Sequence, residues 1–152
     1  MIDLQNRYAP NSNCFGCGPA NNQGLNIKSI PYGEIVIANF MPKPHHQAFP
    51  NILSGGIIGT VLDCHSNWTA AWKIMNNCNE RHPPCTVTAE YKIKLLYPCP
   101  TKNQVKLVAK IKKSDKKKAF ISAELIAENR VCATCEGVFI SVKEGHPAYN
   151  RW

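Results

Sequence analysis

The order of hydrophobic and polar positions divides this chain into an early strand region, one helix and a late strand region. The segments "LNIKSI" and "GEIVIANFMP" predict two strands, with "PYG" as the turn between them. In the next region the hydrophobic residues from Ile57 to Met75 recur with helical periodicity and predict one long helix. Ser54 is a favoured residue at a helix start, and the two prolines of "NNCNERHPP" cannot continue the helix.

The region after the helix alternates between hydrophobic and polar residues, as strands with one buried face do. Four such segments follow one another: "CTVTAEYKIKLLYP", "QVKLVAKIKKS", "KAFISAELIAE" and "RVCATCEGVFISVK". We expect a single α+β domain over residues 1–152, in which an antiparallel sheet wraps around the helix and buries its hydrophobic side. Residues 1–24, rich in Asn, Pro and Gly, and the segment "KPHHQAFPN" are predicted to be irregular.

The other side of the predicted helix is unusual, because Asp63 is the only formally charged residue between Ile52 and Trp72. A helix face exposed to water normally carries Lys and Glu. The residues beside Asp63 are instead small and uncharged: Gly59, Thr60, Ser66, Asn67 and Ala70. This pattern predicts contact with a second subunit or a ligand.

Asp63 has two interpretations at such a contact. Removed from water, its carboxylate can act as a general base or nucleophile, and the unpaired N–H groups of residues 54–56 can stabilise an oxyanion. It can equally be a structural residue that bonds to Thr60 or Asn67. The residue pattern by itself leaves both open.

Composition adds a basic charge. The 152 residues include 18 Lys and Arg against 10 Asp and Glu, a net charge of +8, and the excess lies late in the chain. Such a surface attracts nucleic acid, acidic lipid or a phosphorylated small molecule. Few aromatic residues or arginines accompany the lysines, so we expect no nucleic-acid partner. No hydrophobic run approaches the ~20 residues of a membrane span, and the start does not resemble a signal peptide, so we expect a cytoplasmic protein without membrane contact.

Eight cysteines raise the question of disulfides or metal. A cytoplasmic chain keeps its thiols reduced, which favours mostly buried free thiols. Cys132 and Cys135 lie three positions apart in a predicted strand, where such side chains point to opposite faces and do not chelate one ion. Cys14 and Cys17, in a glycine-rich loop, can form half of a zinc knuckle. We expect packing thiols and no metal, with a zinc or redox site through the C-x-x-C pairs as the open alternative.

Four segments carry a resemblance to a known family. "SGGIIGTVLD" resembles the helix start of hotdog-fold thioesterases, specifically PaaI-like and related acyl-CoA thioesterases. "CFGCGPANNQGLNIK" is similar to the opening of many such proteins, "HHQAFPNILSGG" to their loop into the helix, and "TVTAEYKIKLLYP" to their next strand. The matches occur in the family's order and extend from Cys14 to Lys143.

The resemblance implies a hotdog fold, with one long central helix wrapped by a five- to six-stranded antiparallel sheet, and dimers that can pair into tetramers. It implies hydrolysis of an acyl-CoA thioester at a site shared between subunits. Asp63 would activate water or attack the carbonyl, and the Gly56 N–H would polarise that carbonyl. Thr88 would hold the water or the carboxylate, with Gln47 or Asn51 assisting.

The resemblance also implies substrate contacts. Residues placed near the acyl thioester are Phe49, Ser54, Gly55, Ile58 and Leu62, and those placed near the coenzyme A phosphates are Lys116, Lys117 and Lys118. Coenzyme A is then part of the substrate, and no further cofactor is expected. Two departures from the family pattern are Ser54, where relatives have His, and Cys64, where Glu is common. A non-catalytic acyl-CoA binding protein is therefore the alternative, and a hotdog dehydratase is disfavoured because "HQAFPN" matches its His-Phe-Pro-Gly motif poorly.

Overall fold

The computed structural model describes residues 2–152 and contains a six-stranded antiparallel sheet wrapped around one long helix. The helical elements are α1 (Leu4–Tyr8), a 3-10 turn (Pro44–His46) and α2 (Gly55–Cys78). The strands are β1 (Ile30–Tyr32), β2 (Ile35–Phe40), β3 (Gln47–Phe49), β4 (Ile52–Leu53), β5 (Thr86–Leu95), β6 (Val105–Ser114), β7 (Lys118–Ala127) and β8 (Arg130–Ser141). The predicted α+β fold, with its long helix and four late strands, is confirmed.

The strands of the large sheet lie in the order β1-β2-β6-β7-β8-β5, and all neighbours are antiparallel. β6, β7 and β8 form a meander, in which Glu128 and Asn129 adopt the positive φ angles that a tight hairpin turn requires. β5 does not pair with β6, the next strand in sequence. It lies at the far edge beside β8, with Thr86 opposite Ser141. β5 is therefore a ten-residue edge strand.

α2 begins where the sequence predicts, with Ser54 as the N-cap residue. It ends at Asn79, whose left-handed conformation is typical of a helix C-terminus. Its hydrophobic side packs on the sheet, and Val61, Leu62 and Ile74 are fully buried in the core. Each such side chain contributes roughly 1.5–3 kcal/mol by leaving water. Within residues 2–152, no helix has both the length and the apolar character of a membrane span.

The side of α2 that was predicted to meet a partner is open only in its first half. Ser66, Asn67 and Ala70 are buried within the chain, which corrects that part of the prediction. Asn67 is covered because its side chain hydrogen-bonds to β5. Gly56 is exposed. Gly59 is buried, but the space beside it is open, since a Cβ atom there would meet no atom outside its own helical turn within 4 Å. The free helix face therefore centres on residues 56–60.

The early region differs from the predicted pair of strands. Of "LNIKSI", only Ile30 enters β1, and the turn lies at residues 33–34 instead of "PYG". Leu25 and Ile27 are buried like strand residues, but their N–H groups donate to the carbonyls of Phe15 and Gly16. The alternating burial thus comes from packing against the N-terminal loop and not from the sheet.

Two segments predicted to be irregular contain short elements. Asp3 caps α1 by accepting a hydrogen bond from the N–H of Asn6, so residues 1–24 are not wholly irregular. "KPHHQAFPN" contains the 3-10 turn and the first strand of the β3–β4 hairpin. Elements of two to five residues are too short to show a hydrophobic period.

A buried network of hydrogen bonds connects the N-terminal segment to α2. The fully buried His65 contacts the Ser29 hydroxyl through Nδ1 (2.9 Å) and the Val36 carbonyl through Nε2 (3.1 Å). Because a carbonyl only accepts, Nε2 carries the proton and Nδ1 accepts from Ser29. Gln5 in α1 donates to the Ser29 oxygen at 3.0 Å. Burial lowers the pKa of His65 to about 4, so the ring is neutral at pH 7.

Candidate active site

Asp63 lies in the third turn of α2 and lines a cavity of about 170 Å³. Its Oδ1 accepts a hydrogen bond from the Thr88 hydroxyl at 2.7 Å, and no described residue donates to its Oδ2. Burial raises the pKa of Asp63 above its ordinary value, and the Thr88 hydroxyl and the Arg151 guanidinium oppose this increase. A half-buried carboxylate with one free oxygen and a raised pKa has the properties of a general base.

Thr88 is held beside Asp63 by β5 and by Asn67. The pairing of β5 with β8 shifts register just after Thr88, and such a bulge redirects neighbouring side chains. Asn67 Nδ2 lies 3.4 Å from the Thr88 oxygen, and Asn67 Oδ1 accepts from the Thr86 hydroxyl. Thr88 lies beside Asp63, as the resemblance implied. Asn67 was predicted at a contact with a second subunit or a ligand, and it lines the same cavity as Asp63 and Thr88.

Arg151 covers one side of the same cavity. Its Nη2 donates to the Thr86 carbonyl at 2.8 Å. The next residue, Trp152, stacks on Trp68 of α2 with 4.3 Å between ring centroids. No local pattern points to Arg151, because a single arginine outside any motif has no predictable partner.

Gly55 and Gly56 form the start of α2. No described residue accepts a hydrogen bond from their N–H groups, as is usual in a first helical turn. A Cβ atom on Gly55 would lie 3.1 Å from Leu95 of β5, so a larger residue would force that contact apart. Gly56 and Asp63 are separated by about 10.5 Å along the helix axis, which is nearly two full turns. They therefore lie on the same face of the helix but do not contact each other within one chain.

A second, apolar cavity of about 270 Å³ opens beside the helix start. Phe49, Gly55 and Ile58 line it, as the resemblance implied, and Leu95 of β5 forms another wall. Phe49 is 59% exposed, which leaves the mouth of the cavity accessible. Leu62 does not line this cavity, because it is fully buried in the core, and its predicted substrate contact gains no support. Ser54 occupies the N-cap position of α2 without a capping hydrogen bond from its side chain, and it does not line the cavity.

Gln47 and Asn51 are not near Asp63 of the same chain. Both lie in the β3–β4 hairpin before α2. The Gln47 side chain donates to the Thr101 hydroxyl at 3.2 Å and accepts from the Asn51 N–H at 3.0 Å. Asn51 adopts a positive φ of 66° in the hairpin turn. These contacts give both residues a structural role in the hairpin, and their predicted catalytic role gains no support.

Lys116, Lys117 and Lys118 lie at the turn between β6 and β7, beside the C-terminal end of α2. The turn is tied to that end because Asn77 donates to the backbone carbonyl of Asp115 at 3.0 Å. Lys116 and Lys117 are exposed, and the Lys118 ammonium lies 4.9 Å from the centroid of its neighbour Phe120. The distance from Asp63 to Asn77 along the axis of α2 is about 21 Å. Only a long ligand can therefore contact both Asp63 and the lysine turn.

Three cysteines line the Asp63 cavity. The sulfur atoms of Cys14, Cys17 and Cys64, which we call the thiol cluster, all lie within 4.8 Å of one another. The sequence pointed to Cys14 and Cys17 through their C-x-x-C spacing. It gave no signal for Cys64, which only the fold brings to them. Cys132 and Cys135 are not members of this cluster.

Comparison with known proteins identifies the family. No protein-family profile and no curated protein matches the chain. A solved thioesterase superfamily protein from Shewanella loihica PV-4 is 32% identical, and the match covers 82% of this chain and 98% of that one with a TM-score of 0.67.

Two further solved structures share the fold at low identity. A thioesterase from Haemophilus influenzae is 14% identical, with a TM-score of 0.73 over 96% of both chains. The E. coli PaaI protein from the phenylacetic acid degradation operon is 12% identical, with a TM-score of 0.66 over 78% of this chain and 81% of its own. The identity to the Shewanella protein over nearly its whole length, and the sheet wrapped around one helix, show that this chain belongs to the hotdog-fold thioesterase superfamily.

Proposed function

We propose that this protein hydrolyses acyl-CoA thioesters, with Asp63 as general base at a site shared between two subunits. The observation that carries the proposal is the environment of Asp63: one oxygen is fixed by Thr88, and the other is free in a cavity. The unpaired N–H of Gly56 lies on the same helix face. Membership of the thioesterase superfamily supports the reaction class.

A dimer would bring Gly56 and Asp63 together. β5 is a ten-residue edge strand, and its exposed side chains include Tyr91 and Leu95. A long unpaired edge is a template for another strand. Antiparallel pairing of two β5 strands about a two-fold axis would set the two α2 helices side by side in opposite directions. With Gly59 near the crossing, Gly56 of one chain would then lie beside the partner's Asp63.

The proposed chemistry is addition of water to the thioester. Asp63 Oδ2 takes a proton as the water oxygen attacks the carbonyl carbon, and Thr88 keeps the carboxylate in orientation. The carbonyl electron pair moves to oxygen, where the N–H of Gly56 and the positive end of α2 stabilise the negative charge. Collapse of this intermediate breaks the C–S bond, and the proton held by Asp63 passes to the departing thiolate. The products are the acid and coenzyme A, and Asp63 is again a carboxylate. A thiolate is a good leaving group, so no strong acid is needed.

The substrate would extend in two directions from Asp63. The apolar cavity beside Phe49 and Ile58 would accept the acyl group, and the exposed Lys116 and Lys117 would contact the phosphates of coenzyme A. The distance of about 21 Å along α2 requires a long, flexible linker between thioester and phosphate. Coenzyme A provides such a linker, and no other cofactor enters the proposal.

Thiol release from short-chain, long-chain and aryl acyl-CoAs tests the proposal. We expect Asp63→Asn to reduce kcat by about 100-fold or more, since loss of a general base costs 10²–10⁴. Glu136→Gln, which removes an exposed carboxylate from β8, is the matched control and should leave the rate unchanged. Equal rates for wild type and Asp63→Asn would refute the role of Asp63. Saturable binding of acyl-CoA without turnover by the wild type would replace hydrolysis with a binding function.

A further inference from the structure

The thiol cluster has the spacing of ligands around one metal ion. The Cys14 and Cys64 sulfurs are 3.8 Å apart, and no pair in the cluster exceeds 4.8 Å. A tetrahedral zinc site with Zn–S bonds of about 2.3 Å places its sulfurs about 3.8 Å apart. Movement of less than about 1 Å at the widest pair would therefore complete three ligand positions.

The loop that carries Cys14 and Cys17 is built closely against Cys64. A Cβ atom on Gly16 would lie 2.3 Å from the Cys64 sulfur, and one on Gly18 would lie 2.4 Å from the Cys14 nitrogen. Glycine at position 16 therefore lets the loop approach α2, and glycine at position 18 lets the loop fold back on its own backbone. The loop is also braced internally, because the Gly18 N–H donates to the Cys14 carbonyl at 2.9 Å. The three sulfurs are held by two separate parts of the chain, which limits their freedom before any ion binds.

The surroundings of the cluster favour thiolate. The Trp68 indole N–H donates to the Cys17 sulfur at 3.3 Å. An N–H donor stabilises a thiolate sulfur, which is the form in which cysteine binds a metal ion.

We propose that Cys14, Cys17 and Cys64 bind one thiophilic d¹⁰ cation, Zn²⁺, with the fourth position open to the Asp63 cavity. Thiolates select zinc over the harder magnesium and calcium ions. All three cysteines line that cavity together with Asp63, so a water molecule there can complete the tetrahedron. Binding releases the protons that remain on the three thiols. Under this proposal the three thiols are ligands and not the packing thiols expected from the sequence, and the site does not depend on the proposed hydrolysis.

The test uses the untagged full chain, kept reduced and free of chelator. We expect about one zinc per chain by elemental analysis. Titration with Co²⁺ should produce the sulfur-to-cobalt charge-transfer absorption and the intense visible bands of a tetrahedral thiolate site. Cys64→Ser and Cys14→Ser should each weaken Zn²⁺ binding at least tenfold. Cys85→Ser, which changes a half-buried cysteine outside the cluster, is the matched control and should keep full affinity.

Two results would overturn the site. One is Zn²⁺ affinity in Cys64→Ser equal to that of wild type. The other is a disulfide within the cluster in protein kept anaerobic, detected by mass spectrometry, because oxidised sulfur does not ligate zinc in this way. Asp63→Asn should retain the metal, so loss of hydrolysis and loss of zinc are separate results.

Discussion

The shared site makes a quantitative prediction about mixed dimers. Asp63→Asn removes the base, and Gly56→Pro removes the N–H that would stabilise the oxyanion. Proline is tolerated in a first helical turn, and a Cβ atom at Gly56 would meet only the Ser54 hydroxyl oxygen, at 3.7 Å. Gly56→Ala, which keeps the N–H, is the control for added bulk and should remain active. Each of the two defective homodimers should retain about 1% of wild-type activity or less.

The magnitude follows from the two-fold arrangement. In an equal mixture of the two defective chains, about half of the dimers combine one of each. One site of such a heterodimer contains Asp63 from the Gly56→Pro chain and Gly56 from the Asp63→Asn chain, so it is intact. The other site carries both defects. The mixture should therefore recover about one quarter of wild-type activity.

Co-expression of the two chains, followed by the thiol-release assay, measures this recovery. A mixture of Asp63→Asn with Asp63→Ala is the negative control, because no combination restores the base. Analytical ultracentrifugation should show that every variant remains oligomeric. Activity of the mixture no greater than that of the separate variants, with dimers still present, would refute a site that combines Gly56 and Asp63 from different subunits.

Three further predictions concern single positions. Thr88→Val should lower kcat by about 10- to 150-fold, because a hydrogen bond to a charged group is worth about 1.5–3 kcal/mol. Thr88→Ser should keep most of the activity, and equal rates for the two variants would contradict the role of the hydroxyl. The double variant Lys116→Ala/Lys117→Ala should raise KM for acyl-CoA but not for the matching acyl-pantetheine, which lacks the nucleotide phosphates, and Lys112→Ala should change neither. The neutral His65 should make the fold less stable in acid, because the unfolded chain gains a proton below pH 6.5 and the folded chain only near pH 4. Urea unfolding should show that the free energy of unfolding falls by about 3 kcal/mol between pH 6.5 and pH 4. If the free energy of unfolding of His65→Gln falls as steeply with pH as that of wild type, His65 is not the cause of the acid sensitivity.

The long elements were predictable because each repeats one period over many residues. α2 and the strands β5 to β8 follow the predicted segments to within a few residues. The short elements α1, β3 and β4 have no such repeat. Leu25 and Ile27 show why burial and strand formation differ, since a loop can bury alternate residues as well as a sheet can.

The site was predictable only where a local motif carried it. Asp63 stands out as a lone charge on its helix, and the family resemblance located Thr88. Asn67, Arg151 and Cys64 join the cavity through contacts between distant segments, which no local pattern records. Gln47 matched the family only by position, and its side chain is engaged in the hairpin.

The place of β5 beside β8 has a consequence for how the chain folds. Its hydrogen-bond partners lie beyond β6 and β7 in sequence, so β5 leaves the ribosome well before the strand that pairs with it. The β6–β8 meander joins neighbours in sequence and is expected to form early, whereas closing the long loop to β5 is expected to be late and slow. Until then Tyr91 and Leu95 belong to an unpaired strand, which is the condition that favours aggregation. Low temperature, which weakens hydrophobic association, should therefore increase the yield of folded protein.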